Sequence, residues 1–159
     1  MKALVAVVVL AVSAAVWFAV SAGQVRKIDN TALVDTATTA AVVAKVGEAV
    51  QSAFSYDYND TARTEQAARN VLIDSAVRQY EQLFGKVREQ ATAQKLVLVT
   101  AVRSVGVSEL SGDRATALVF LDQQAVRGDN NQHTSVSAQL SVVARNVDGT
   151  WKIAELTVL

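Results

Sequence analysis

The sequence predicts an α+β protein in which helices pack on one side of a curved antiparallel sheet, behind an N-terminal transmembrane helix. Three observations support this prediction. Residues 3–22 contain no charged side chain. Between residues 31 and 94 the apolar side chains recur at helical spacing, and from Lys95 onward they alternate with a period of two. Helices that come first in the chain and strands that follow are typical of an α+β domain.

Residues 1–22 are predicted to form an uncleaved transmembrane anchor, and residues 23–30 a linker. A helix of about 20 residues spans about 30 Å, the hydrocarbon thickness of a bilayer. The competing interpretation is a cleaved signal peptide, because the chain starts Met1-Lys2 and residues 20–22 are small enough for cleavage. A signal sequence has an apolar stretch of only about 7 to 15 residues, which favours the anchor. Lys2 precedes the span and Arg26 and Lys27 follow it, so charge does not orient it.

Composition limits what the rest of the chain can be. About 135 of the 159 residues follow the anchor, enough for one domain, residues 31–159, with a core of its own. The formal net charge is zero, which argues against nucleic acid as a partner. The absence of cysteine excludes disulfides, thiolate metal sites and a cysteine nucleophile.

Three helices are predicted before the sheet. Asn30-Thr31 is expected to cap the first, which reaches about Ser55. A loop over residues 55–60 and a short helix over residues 61–70 follow. Asp74 or Ser75 is expected to cap the third, which reaches about Gln94, with a kink or an early end at Gly85. The residues predicted to bury their side chains are Val43, Val46, Val50 and Phe54 in the first helix and Val77, Tyr80 and Phe84 in the third.

Four strands are predicted to form an antiparallel meander. The first runs from Leu96 to Val107 with a bulge at Gly106, and the second covers residues 114–126. The third alternates most clearly, with apolar residues on one face and residues 135, 137, 139 and 141 on the other. Asp148-Gly149 is a strong hairpin signal before the last strand, in which Trp151 is expected to be buried.

Several short motifs belong together: the single N-terminal span, the Ala-rich helix, the loop Ser55-Tyr56-Asp57-Tyr58, the pair Ala76 and Tyr80, the four-strand meander, and the ending Asp148-Gly149-Thr150-Trp151-Lys152-Ile153. Together they resemble the Mce-associated membrane proteins, accessory proteins of actinobacterial Mce lipid-import systems. The resemblance covers nearly the whole chain, and it implies a cone-shaped domain of three helices on a curved antiparallel four-stranded sheet, like nuclear transport factor 2. It also implies a domain on the extracytoplasmic side of the plasma membrane beside a transporter, with no catalytic residues to carry over.

Asp74, Tyr80 and Asp122 are the residues to consider for an acid–base site, because enzymes with the cone fold place an Asp, His or Tyr in the mouth of the cone. Each also has a structural interpretation. Asp74 suits a helix cap with Arg78 as a partner, Tyr80 a core ring with its hydroxyl at the rim, and Asp122 the end of an apolar strand face. His133, the only histidine, suits a solvated strand end. No catalytic, metal or cofactor site is therefore predicted.

Two further sets of residues are candidates for binding. Tyr56 and Tyr58 lie in a loop with acidic neighbours, which permits stacking or cation binding, although the loop lacks the oxygen series of a calcium site. The alternative is a helix connection that holds the tyrosine rings on the core. Ser137 and Gln139 lie on the polar face of the third strand, which suits either plain solvent exposure or a docking surface.

The sequence therefore predicts a non-enzymatic, single-pass protein of the plasma membrane that acts through protein contacts. The expected partners are the lipid bilayer and an Mce transporter or other envelope proteins, and a homo-oligomer is a further option. Three alternatives stay open. They are a domain that binds or senses an apolar ligand, an inner-membrane subunit of type IV secretion, and a membrane-tethered isomerase or dehydratase with a buried carboxylate.

Overall fold

The computed structural model describes residues 30–130 and 132–159, which form an α+β domain. Its strands make one antiparallel sheet in the order β1-β2-β3-β4-β5. The predicted α+β fold is confirmed, with a two-residue strand added from the loop after the first helix. The elements are α1 (Thr36–Ala53), β1 (Tyr56–Asp57), α2 (Thr61–Val71), α3 (Asp74–Ala91), β2 (Leu96–Ser111), β3 (Arg114–Arg127), β4 (Gln132–Val147) and β5 (Thr150–Val158).

The predicted anchor lies outside the described residues, as does all of the predicted linker except Asn30. Within the ranges described, none of the helices combines the length and apolar character that a membrane crossing needs.

Helix α1 begins five residues later than the capping motif at Asn30-Thr31 predicted. Asp35 is the cap, and its carboxylate accepts a hydrogen bond of 3.0 Å from the Thr38 N–H. Asn30 instead bonds to β2, donating to the Ser108 carbonyl at 2.8 Å and accepting from the Leu110 N–H at 3.0 Å. The prediction was wrong because a local motif does not show that a distant strand competes for the same side chain.

Helix α3 begins without a side-chain cap, contrary to prediction. Asp74 has a positive φ of 51° and pairs with Arg145 of β4 at 3.0 Å, rather than with Arg78. The Ser75 hydroxyl donates to the Ala154 carbonyl of β5 at 3.0 Å. Both side chains thus bind the sheet. The helix runs through Gly85 and ends at Ala91 rather than at Gln94.

The core lies between α1, α3 and the inner face of the sheet. Helix α1 buries Val42 and Val46 but leaves the predicted Val43 partly exposed, and α3 buries Tyr80 and Phe84 but leaves Val77 half exposed. Trp151 is 6% exposed, so its predicted burial is confirmed. The aromatic centre of the core is compact: Tyr80 stacks on Phe84 at 4.9 Å, and Phe54 meets both edge-on at 5.6 and 5.8 Å.

The strand registers follow the predicted turns but not the predicted bulge. Asp148 and Gly149 both have positive φ, 51° and 80°, which matches the I′ turn that an Asp-Gly pair favours. Strand β2 shifts register around Arg103 and again around Ser108, not at Gly106. In β4 the predicted alternation is confirmed where β5 pairs with it, since Leu140, Val142 and Ala144 are buried. The following sections call the sheet surface opposite the helices the outer face.

Candidate functional site

The polar side chains inside the cone are bonded to the carboxyl end of α1. The Tyr80 hydroxyl donates to the Ala53 carbonyl at 2.9 Å, and the Thr100 hydroxyl donates to the Phe54 carbonyl at 2.6 Å. Gln123 donates to the Thr100 hydroxyl oxygen at 3.1 Å. The last carbonyls of a helix have no partner within the helix, so these bonds complete α1. The interior polar groups therefore have a structural role.

Tyr80 occupies the position that sequence reasoning assigned to its ring, but its hydroxyl is buried rather than at the rim of the cone. Burial disfavours the charged phenolate and raises the pKa of Tyr80 to about 12. The hydroxyl therefore stays protonated at neutral pH and keeps donating to Ala53.

The three acid–base candidates lie apart. Tyr80 is inside the core, Asp74 is exposed beside Arg145, and Asp122 is on the outer face, where its register partners are Ala101 and Ser137. Ser137 and Arg145 are eight residues apart along β4, which corresponds to about 26 Å at about 3.3 Å per residue. The structure thus does not assemble these residues into one site.

The outer face instead brings Asp122, Ser137 and Gln139 together. Ser137 donates to one carboxylate oxygen of Asp122 at 2.7 Å, and Arg103 donates to the other at 2.6 Å. The bond from Ser137 contributes most, and with the bond from Arg103 it holds the pKa of the Asp122 carboxyl below its usual value. We call this region the outer patch, a shallow depression of about 380 Å³. On this face it is lined by Arg103, Phe120, Asp122, Ser137, Gln139 and Leu159.

Three members of the outer patch, Arg103, Phe120 and Leu159, were not predicted from the sequence. Phe120 is 38% exposed and lies opposite Gln139, so an apolar ring borders the ionic pair. The sequence did offer a signal, because Phe120 and Asp122 are two residues apart and therefore lie on the same face of the strand. An aromatic residue on a strand is normally assigned to the core, however. Arg103 carries no sequence signal, because its side of the sheet depends on the register shift around it.

The loop that holds Tyr56 and Tyr58 connects α1 and α2 and rests on the core. Tyr56 is buried, with its ring 6.4 Å from that of Phe84, and Tyr58 is partly buried against the same cluster. Asp57 accepts bonds from both nitrogens of Asn59, and Asp60 caps α2. An open groove of about 600 Å³ runs beside this loop between α1, α2 and β2. Both carboxylates of the loop thus have local partners.

Metal ligands are not concentrated anywhere in the described ranges. His133 is exposed at the start of β4, where the sequence predicted a solvated strand end. No three His, Cys, Asp or Glu side chains of the described residues lie close enough to hold a metal ion.

Comparison with solved structures identifies the architecture as the cone fold of nuclear transport factor 2-like proteins. An NTF2-like superfamily protein from Salmonella enterica superposes with a TM-score of 0.52 at 14% identity over 76% of this chain and 92% of that one. An IcmL-like type IV secretion system protein from Legionella pneumophila gives 0.66 at 8% identity over 76% and 91%. A periplasmic fragment of TraM gives 0.64 at 12% identity over 72% and 92%. At such identities the likeness shows the fold alone.

At the level of sequence, no family model matches the chain. Uncharacterized proteins of Mycobacterium tuberculosis, Rv1362c in strain H37Rv and MT1407 in strain CDC 1551, are 29% identical to it over 124 residues. That alignment covers 77% of this chain and 56% of the curated relatives, so the chain spans about half of their length. Association with an Mce system remains a prediction.

Proposed function

We propose that this chain is a membrane-anchored accessory protein of the bacterial cell envelope whose cone domain binds other proteins through the outer patch. The observation that carries the proposal is the organised surface around Asp122. Its carboxylate is fixed by Ser137 and Arg103, and the exposed ring of Phe120 lies beside it. Exposed aromatic rings and arginine side chains are enriched in protein interfaces, and Phe120 and Arg103 supply both here.

The interior of the cone supports binding over catalysis. The aromatic rings of Phe54, Tyr80 and Phe84 fill it, and every buried side-chain nitrogen or oxygen of the described residues has a hydrogen-bond partner. A general acid or base must reach a substrate, whereas the Tyr80 hydroxyl is bonded to Ala53. The same packing opposes a carrier for an apolar ligand.

The Mce system is our choice of partner, with the domain on the extracytoplasmic side of the plasma membrane. It rests on the resemblance to Mce-associated proteins and on a mycobacterial relative. A type IV secretion subunit is the second candidate, favoured by the fold shared with the IcmL-like protein and the periplasmic fragment of TraM. Crosslinking in native membranes separates the two, because the captured partners are either Mce transporter subunits or secretion subunits.

The test of the binding surface combines Phe120→Ser with Gln139→Arg in the full-length protein. Both side chains are exposed on the outer face, so we expect normal folding and loss of the proteins that crosslink to the wild type. Thr116→Arg is the matched control, because Thr116 lies on the same face of β3, four residues from Phe120. It should leave the crosslinks intact.

A different result would overturn the proposal. If the double variant crosslinks normally while Tyr80→Phe abolishes the phenotype of the gene at unchanged protein level, the domain acts through its own chemistry. The isomerase or dehydratase interpretation would then replace protein binding.

A further inference from the structure

Neighbouring elements cover β5 and the ends of β2, whereas one half of β4 is open along its side. The edge of β5 that faces away from β4 is covered by α3 and the residue before it. Ile73 and Ser75 donate to the carbonyls of Ile153 and Ala154, at 2.9 and 3.0 Å. The Gln79 side chain accepts from the Leu156 N–H at 2.9 Å. At β2, strand β1 pairs with Val97 and Leu98 and Asn30 bonds to Ser108 and Leu110, so the cover lies at the two ends of that strand. Such covering is how proteins prevent unintended strand pairing.

The open edge is residues Gln132–Ala138 of β4. Strand β4 pairs with β3 along its whole length, but β5 pairs with it only from Leu140 onward. Leu159 extends the contact by one bond, from its N–H to the Gln139 carbonyl at 3.0 Å. Beyond that bond, no strand of the described residues lies against this side of β4.

Alternation along the strand determines which backbone groups face the open side. The Gln139 carbonyl points toward β5, and in an antiparallel strand every second residue points both its N–H and its C=O the same way. The register with β3 is unbroken from Gln132 to Arg145, so Ser137, Ser135 and His133 also point outward. They present three N–H and three C=O groups to solvent.

The open edge lacks the features that natural edge strands use against pairing. It contains no lysine, no proline and no carboxylate, and it has no bulge. Six of its seven residues are exposed, and Ala138 is partly so. A neutral edge carries no charge that would repel an identical strand, nor one that would select a charged partner.

We propose that this edge pairs with the open edge of a second copy of the chain, antiparallel, about a twofold axis through Ser135. In this register Ser135 lies opposite the partner's Ser135, and His133 lies opposite the partner's Ser137. All outward N–H and C=O groups of both strands then bond to one another. An axis through Val136 would place His133 opposite the partner's Gln139, whose carbonyl already accepts from Leu159. Self-complementarity of this kind is what a twofold interface requires.

The side chains fit the same register. Thr134 comes opposite the partner's Val136, which is 55% exposed in the single chain and gains a β-branched neighbour. Pairing ends with Gln132 opposite the partner's Ala138, one residue before Gln139, whose carbonyl accepts from Leu159. The axis is perpendicular to the sheet, so the dimer presents two outer patches on one face, accessible to the partners proposed above.

The chain contains no cysteine, so one introduced thiol reports on this contact alone. Opposed residues of a hydrogen-bonded antiparallel pair have Cα atoms about 5.5 Å apart, within disulfide reach. We expect full-length Ser135→Cys in oxidised native membranes to run largely as a disulfide dimer. Thr157→Cys is the control, since Thr157 is exposed on the same face but lies about 20 Å along the sheet at about 3.3 Å per residue. His133→Cys mixed with Ser137→Cys should give the heterodimer.

Ser135→Pro tests the same pairing without chemistry. The Ser135 N–H points away from β3, so proline there removes no bond of the existing ladder. We expect the wild type in detergent to have the mass of a dimer by light scattering, and Ser135→Pro the mass of a monomer with an unchanged melting temperature. If Ser135→Pro unfolds, Ser135→Lys replaces it and places two ammonium groups opposite one another.

Two results would overturn the proposal. One is a Ser135→Cys dimer fraction no higher than that of Thr157→Cys, and the other is a dimer mass that survives Ser135→Lys. Phe120→Ser with Gln139→Arg lies outside the pairing register and should leave the dimer intact, so failure of the docking patch and failure of the dimer are distinguishable.

Discussion

The two halves of β4 have the same alternating sequence and opposite surroundings. In the half from Leu140 to Val147, the inward side chains of Leu140 and Val142 are 3% and 0% exposed. In the half from Gln132 to Gln139, the inward Val136 is 55% exposed. Alternation therefore determines the side of the sheet on which a residue lies, and neighbouring elements determine whether that side is buried.

The half of β4 from Leu140 to Val147 is covered by β5 and α3. Strand β5 pairs with Leu140–Val147, and α3 packs on β5 and protects its edge. The other half has β3 on one side and solvent on the other. We interpret the covered half as the structural part of the domain and the open half, with the adjoining outer patch, as its interaction surface.

The largest expected contrast is between Trp151→Ala in β5, the strand that covers Leu140–Val147, and Val136→Ala in the open half of β4. Trp151 is almost fully buried, and removing a buried indole costs about 3 to 5 kcal/mol of unfolding free energy. Val136→Ala removes two methyl groups that are half in water, so we expect less than about 1 kcal/mol. Urea denaturation of residues 30–159 measures both. Equal losses would show that the halves do not differ.

A smaller loss is expected from Tyr80→Phe, which removes the buried bond to the Ala53 carbonyl. An unsatisfied buried carbonyl costs about 1 to 3 kcal/mol. No further loss of stability is expected, because the ring contacts of Tyr80 persist in phenylalanine. A silent Tyr80→Phe would show that the hydroxyl does not complete α1.

The same residue predicts an alkaline transition. The folded pKa of Tyr80 is about 12 against 10.0 for an ordinary tyrosine. Between these values the unfolded chain has lost the proton while the folded chain retains it, so stability falls as pH rises through this range. Below pH 10 this contribution is constant. Denaturation midpoints measured from pH 9 to 12 should decline more steeply for wild type than for Tyr80→Phe.

The sequence was most informative where the signal is local. Asp148-Gly149 fixes its own turn, and the residues of β4 alternate without reference to the rest of the chain. It failed where a side chain has a distant partner. Asn30 and Asp74 both suit helix caps, yet one bonds to β2 and the other to Arg145 of β4.

The outer patch was predictable only in part for the same reason. Ser137 and Gln139 were identified from the polar face of their strand, whereas Asp122 was identified as a candidate for the mouth of the cone and lies on the outer face instead. Arg103 joins them only through the register of β2 on β3, which shifts at that residue. The pairing of strands in space, rather than residue type, completes this site.

The smallest expected effect lies in the open half and concerns charge rather than stability. Ser137→Ala removes the hydrogen bond that lowers the pKa of Asp122 most. The pKa should therefore rise toward the ordinary 3.8, while Arg103 still keeps it below that value. Because the folded pKa is the lower one, the contribution of Asp122 to stability is present above the unfolded pKa and is lost as pH falls through the folded one. In the variant the loss should be smaller and complete at a higher pH, because the folded pKa has moved toward an unchanged unfolded pKa. NMR titration of the carboxyl carbon measures the shift, and Ser141→Ala on the same face is the control. An unchanged pKa would mean that Ser137 does not hold the Asp122 carboxylate in place.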